Sequence, residues 1–163
     1  MRRLFIPLLL LGTLAIALPA AAATGKVIKV LPQFLDLKGR SAKSPSLFDR
    51  DAYQAWLRKN PKECSGIRYA VQWRGRPTFG TLKLRVELRG IAQGNLPREK
   101  TIEKELKSGG KSSHWDNLEL KGDDYKEFGE VTAWRITLWD GDTLLDEQAS
   151  FLWQQSAESE SKP

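Results

Sequence analysis

Sulfur and imidazole are scarce in this chain: its 163 residues include one cysteine, one histidine and one methionine. One cysteine excludes an intrachain disulfide, and one Cys with one His falls short of the four ligands a structural zinc site needs. A Cys–His catalytic dyad would have to be Cys64 with His114. The chain also lacks a glycine-rich phosphate loop, a nucleophile elbow and the spaced acids of an EF-hand loop. Gly109-Gly110 reads as a turn. These absences remove most of the familiar enzyme signatures, and the chain reads as non-catalytic, without cofactor or metal.

Long apolar runs are also missing, except at the N-terminus. Arg2-Arg3 make a short basic start, Leu4 to Leu18 is apolar, and Ala21-Ala22-Ala23 supplies a small-residue cleavage pattern before Thr24. This is the layout of a signal peptide over residues 1–23, and it implies a periplasmic or secreted location. An uncleaved anchor is the rival, since about 20 apolar residues span a bilayer. The small-residue end and the lack of a following basic cluster favour cleavage. Membrane attachment follows only if the segment is retained. Arg2-Arg3-Leu4-Phe5-Ile6 has some twin-arginine character, but the short basic start favours general secretion.

Removing 23 residues, two of them arginines, leaves 140 and lowers the net charge from +6 to +4. That length suits one domain that holds together by its core alone. Cys64 sits in Pro61-Lys62-Glu63-Cys64-Ser65-Gly66 with no His nearby to lower its pKa, and reads as a half-buried apolar residue.

What is abundant is period-two patterning. Residues 81–89 place Leu82, Leu84, Val86 and Leu88 on one face and Lys83, Arg85, Glu87 and Arg89 on the other. Residues 67–74 repeat it, with Ile67, Tyr69, Val71 and Trp73 inward and Arg68, Gln72 and Arg74 outward. Weaker strands are expected at 99–106 and 115–120, and one or two over Val27 to Leu37, where Pro32 suits an edge. Asp140-Gly141 marks a hairpin within 130–153. A loop of those two residues pairs Ile136 with Leu145, Thr132 with Ala149, and Arg135 with Asp146.

A helix is expected over about 49–60, capped by Ser46 with Asp49 as capping-box acid and ended by Asn60-Pro61. Its apolar stripe is Ala52, Tyr53, Trp56 and Leu57. Gly122 to Phe128 allows a second helical turn. Residues 154–163 are Ser/Glu-rich and read as a disordered tail. The expected architecture is an all-β, antiparallel sandwich of about seven strands over residues 24–153, with one inserted helix.

Trp73 on an early strand, with Trp134–Trp139 and Ser150–Trp153 flanking the hairpin, resembles the core of an immunoglobulin-like or fibronectin type III-like domain. The resemblance covers residues 67–153. It implies a scaffold that hosts many functions. The inter-sheet cysteine pair of antibody domains is absent, and Tyr125 is displaced from the position of a tyrosine corner.

Three groups of residues could carry function. His114, in Ser112-Ser113-His114-Trp115-Asp116, has a serine and an acid close by, but strand neighbours point to opposite faces. Asp123-Asp124 could suggest calcium but lacks a loop spacing for it. Trp139, outward beside the turn, and Trp115 are candidate anchors for a protein partner or a sugar ring. Trp73, Trp134 and Trp56 read as core, and Trp153 is left open. Arg68, Arg74, Lys83, Arg85 and Arg89, with Arg76 on the connection, could form a basic sheet face, with Arg98 and Lys100 as a second cluster. Such a face attracts acidic glycans or anionic surfaces. Nucleic acid is disfavoured, because no aromatic residue interleaves the stripe. The leading expectation is an exported interaction module whose partner is another envelope or secreted protein. The alternative is a module that binds a glycan or polyanion.

Overall fold

The computed structural model describes residues 24–77, 81–107 and 110–160; the expected signal segment lies outside them. The strands are β1 (Thr24–Asp36), β2 (Cys64–Arg76), β3 (Leu82–Ala92), β4 (Leu96–Glu105), β5 (Gly110–Lys121), β6 (Glu130–Asp140) and β7 (Thr143–Ala149). The helices are α1 (Leu47–Lys59), α2 (Asp123–Phe128) and α3 (Phe151–Glu160). All strand pairs are antiparallel, in two sheets ordered β1-β2-β5 and β4-β3-β6-β7. Their inner faces share one core, so the chain is a β-sandwich.

Alternation builds that core. Ile67, Tyr69, Val71 and Trp73 of β2 meet Leu82, Leu84, Val86 and Leu88 of β3, with Leu118 and Leu120 of β5 and Ile136 and Leu138 of β6. Each is at most 5% exposed, and these inward sets are the ones the periodicity picks out for β2 and β3. Gly90 lies where β3 passes Phe128. A β-carbon there would collide with the Phe128 ring and the Glu130 carbonyl, so a side chain is excluded.

The hairpin exists, but its register differs from the expected one. The loop residues are Gly141-Asp142, and Asp140 pairs with Thr143. Gly141 takes φ +56° while Asp142 keeps a negative φ, the signature of a type II′ turn with glycine first. A shift between Leu138 and Trp139 then pairs Ile136 with Gln148 and Arg135 with Ala149. Arg135 finds Glu87 of β3, at 2.7 Å, in place of Asp146.

β1 is one continuous edge strand. The Phe34 N–H points away from β2, so by alternation the backbone of Pro32 faces the same free edge, where its missing N–H breaks no ladder bond. The two sheets are laced at both sides. Asp146 accepts from Val27 N at 2.8 Å and Gln148 donates to Val27 O at 3.1 Å; on the far side Lys104 pairs with Asp116 at 2.7 Å.

Helix α1 begins as expected. Ser46 Oγ accepts from the Asp49 N–H, while Ser44 bridges the Ser46 N–H and the Asp49 carboxylate. Its packing differs, because Tyr53, Gln54 and Leu57 face the body while Ala52 and Trp56 are exposed. Trp56 is 43% exposed and stacks on Tyr53, so it is not core. At the C-terminus the backbone turns helical at Phe151, where the sequence reading extends the last strand to 153 and leaves an unstructured tail. Trp153 accounts for the change: its ring packs under the guanidinium groups of Arg89 and Arg135, at 4.2 and 5.1 Å.

Candidate binding surfaces

The expected single basic face does not exist, because β2 and β3 belong to different sheets. Arg68 and Arg74 stand on the outer face of β1-β2-β5, while Lys83, Arg85 and Arg89 stand on the opposite side of the sandwich. The two faces have different electrostatics.

On the four-stranded sheet every named cation is engaged. Lys83 and Arg85 share Glu103, at 3.1 and 2.7 Å, and their hydrogen bonds hold its carboxyl below the ordinary carboxylate range. The hydrogen bond that Arg135 donates to Glu87 raises the pKa of the guanidinium above its ordinary value. Arg89 lies 3.4 Å from Glu99 and over the Trp153 ring. Trp139 points outward as expected but is half-buried: the Arg85 guanidinium sits 5.0 Å from its ring, and its Nε1 donates to Thr137. A shallow cleft of about 300 Å³ opens between α3 and the β6-β7 edge, lined by Arg135, Glu147, Gln148 and Trp153.

The three-stranded face is unlike it. Cross-strand pairing sets Lys29, Gln72 and Trp115 in one row, with Lys26 and Arg74 in the next row and Arg76 opposite Thr24 beyond it. Trp115 is 51% exposed. Gln72 donates to Ser113 at 3.2 Å, which holds its amide beside the indole. Lys26, Lys29, Arg74 and Arg76 are exposed and none is in an ion pair among the described residues. The acid on this face is Glu119, one strand position from the α1 end. Hydrogen bonds from Lys121 and Arg68 outweigh its burial and keep its pKa low. The face is therefore polarised, with paired charge near α1 and bare positive charge around Trp115.

Lys26 and Lys29 are three residues apart, which in a regular strand would put them on opposite faces. A bulge at Ile28 between the Val27 and Lys29 pairs brings them to the same side. Strict alternation therefore misses them. The signal available in the sequence was the phase break in Lys26-Val27-Ile28-Lys29-Val30.

Asp116, Asp123 and Asp124 find ordinary partners, whereas His114 Nε2 is buried without a hydrogen-bond partner among the described residues. His114 faces inward with its ring 5.2 Å from Trp73, while Ser113 faces outward, so the two do point apart. Asp116 accepts from Trp73 Nε1 at 2.9 Å as well as pairing with Lys104. Asp123 and Asp124 pair with Lys126 and Lys100. Arg98 lies on the exposed strand β4. Cys64 is buried with its thiol 3.4 Å from Leu57 O, and burial, with Glu63 nearby, pushes its pKa up. Burial likewise raises Tyr125, on α2, to about 12. Among the described residues no group of three His, Cys, Asp or Glu side chains is placed to hold a metal ion.

Fold and surface together define a small β-sandwich with one neutralised and one cationic outer face. No protein-family model matches the chain, and no curated protein matches it.

Proposed function

We propose that the protein is an exported, non-catalytic binding module that takes a polyanionic ligand on the outer face of β1-β2-β5. The observation that carries this reading is the segregation of charge. Lys26, Lys29, Arg74 and Arg76 stand together without an acidic partner, whereas the equivalent cations across the sandwich are each paired. Unpaired like charges repel one another, so a fold that keeps four in one patch gains from an anionic occupant.

The strand partition supports a fibronectin type III-like reading of the scaffold. In constant-type immunoglobulin order the fourth strand joins the first, second and fifth, whereas here β4 pairs with β3. A periplasmic or secreted location, read from residues 1–23, would expose the face to anionic polymers outside the cytoplasm.

The test is retention of the purified chain on an immobilised polyanion between about 0.05 and 0.2 M salt, a range over which screening acts strongly. Lys29→Glu with Arg74→Glu is expected to abolish retention. Lys83→Glu with Arg85→Glu, on the opposite face, is expected to leave much of it. Equal losses from the two pairs would refute the assignment.

A second reading, docking of a protein partner, has its own observation. The outermost line of α1 is apolar, with Phe48 81% exposed beside Ala52, Ala55 and Trp56. Recovery of a stoichiometric partner that survives high salt and is lost with Phe48→Asp would favour it over the polyanion.

A further inference from the structure

Resting on the polyanion reading, we infer that the ligand of the β1-β2-β5 face is an acidic polysaccharide. Trp115 is the platform for one sugar ring, and Lys29, Lys26 and Arg74 bind the carboxylate or sulfate groups of its neighbours.

Charge alone would accept any polyanion; the centre of the patch narrows the choice. Trp115, on strand β5, presents half its surface to solvent, and its aromatic face suits the apolar C–H face of a pyranose ring. Directly opposite it in the pair lies Gln72, fixed by Ser113, and two residues further along β5, on the same face, lies Asn117. Amides and hydroxyls both donate and accept, which fits sugar hydroxyls; a bare phosphate chain has no use for the acceptors.

The spacing agrees. Strands lie about 4.8 Å apart, so Lys29 stands about 10 Å from Trp115 across β2, the span of a disaccharide. Arg74 lies two residues along β2 from Gln72, about 7 Å, and Lys26, three residues from Lys29 through the bulge, pairs with Arg74, so both flank the same track. A chain running across the strands from Trp115 toward β1 meets a ring, an amide and then positive charge in that order. Its far side is closed off from α1 by the Arg68–Glu119 pair, so the track has one polarity.

The experiment is affinity electrophoresis of the full chain in gels containing polygalacturonate, dextran sulfate, inorganic polyphosphate or neutral dextran. Wild type, Trp115→Ala, Trp115→Phe and Lys29→Glu/Arg74→Glu are compared. Trp115 is exposed, so both substitutions should leave the unfolding midpoint near that of wild type, which verifies the fold. The expected result is retardation by at least one acidic polysaccharide. That retardation falls about tenfold in Trp115→Ala and is largely kept in Trp115→Phe, the scale of one aromatic anchor. The polyphosphate affinity is expected to be indifferent to Trp115. Charge reversal should abolish both. If Trp115→Ala leaves the affinity for both acidic polysaccharides unchanged, or weakens polyphosphate equally, the sugar assignment is overturned while the polyanion reading stands. If wild type ignores all three polyanions, both fall.

Discussion

Gln54 acts as a neighbouring strand for Phe34. Its Oε1 accepts the Phe34 N–H at 2.7 Å, and its Nε2 donates to the Phe34 carbonyl at 3.0 Å and to Ser41 O at 2.7 Å. One side chain from α1 therefore satisfies both backbone groups that Phe34 would otherwise present at the free edge of β1.

Gln54→Ala should lower stability by about 2 kcal/mol, because it strands partly buried donors and acceptors. Gln54→Glu keeps the size but cannot donate, and should be no better than alanine. Urea midpoints measure both, and light scattering should show more self-association as the edge opens. Wild-type stability in Gln54→Glu would refute the donor role.

Asp36 should dominate the acid limb of the stability curve. Burial pushes its pKa up, but donors from Arg40, Tyr53 and the Lys38 N–H outweigh that and hold the carboxyl well below its ordinary 3.8. A depressed carboxylate stabilises the fold above its unfolded pKa, and the contribution fades as pH falls toward the folded value. Asp36→Asn should cost about 2–3 kcal/mol at neutral pH. It should also flatten the loss of stability between about pH 5 and 2. Urea midpoints across that range decide it: parallel curves for the two proteins would contradict the assignment.

Trp153 pins α3 to the sheet through Arg89 and Arg135. Trp153→Ala should cost about 1 kcal/mol and open the segment after Ser150 to proteolysis. Limited digestion followed by mass spectrometry reads the cleavage site. Unchanged protection would mean that other contacts hold the helix.

Cys64 should resist modification in the folded protein. Its thiol is buried under α1 and titrates above its ordinary 9.0. Labelling by a thiol reagent near pH 8 should follow the rate of opening and become fast only in denaturant. Rapid native labelling would overturn this. Cys64→Ala should cost about 1 kcal/mol for the lost packing.

Much of the fold was legible because period-two alternation is local. Residues 67–74 and 82–88 show their buried sides without reference to any partner, and Ser46 marks the start of α1 by a bond within one turn. The hairpin was legible as a hairpin but not in register. Asp-Gly reads as the loop pair, yet the positive φ at Gly141 fits the first loop position of a type II′ turn, and a bulge moves the pairing again. The start of α3 was hidden because Trp153 becomes ordered only when Arg89 and Arg135, 64 and 18 residues away, arrive beneath it.

The sequence by itself determined which side chains of β2 and β3 face the core, where α1 begins, and that no intrachain disulfide supports the fold. Only the tertiary structure decided which strands share a sheet. That choice divided the expected basic stripe between opposite sides of the sandwich. It neutralised Lys83 and Arg85 against Glu103 of β4, and left Lys26, Lys29 and Arg74 bare around Trp115. The reason is physical: alternation is set by the backbone of one strand, whereas the partner of a surface charge is set by which strand the sheet order places beside it.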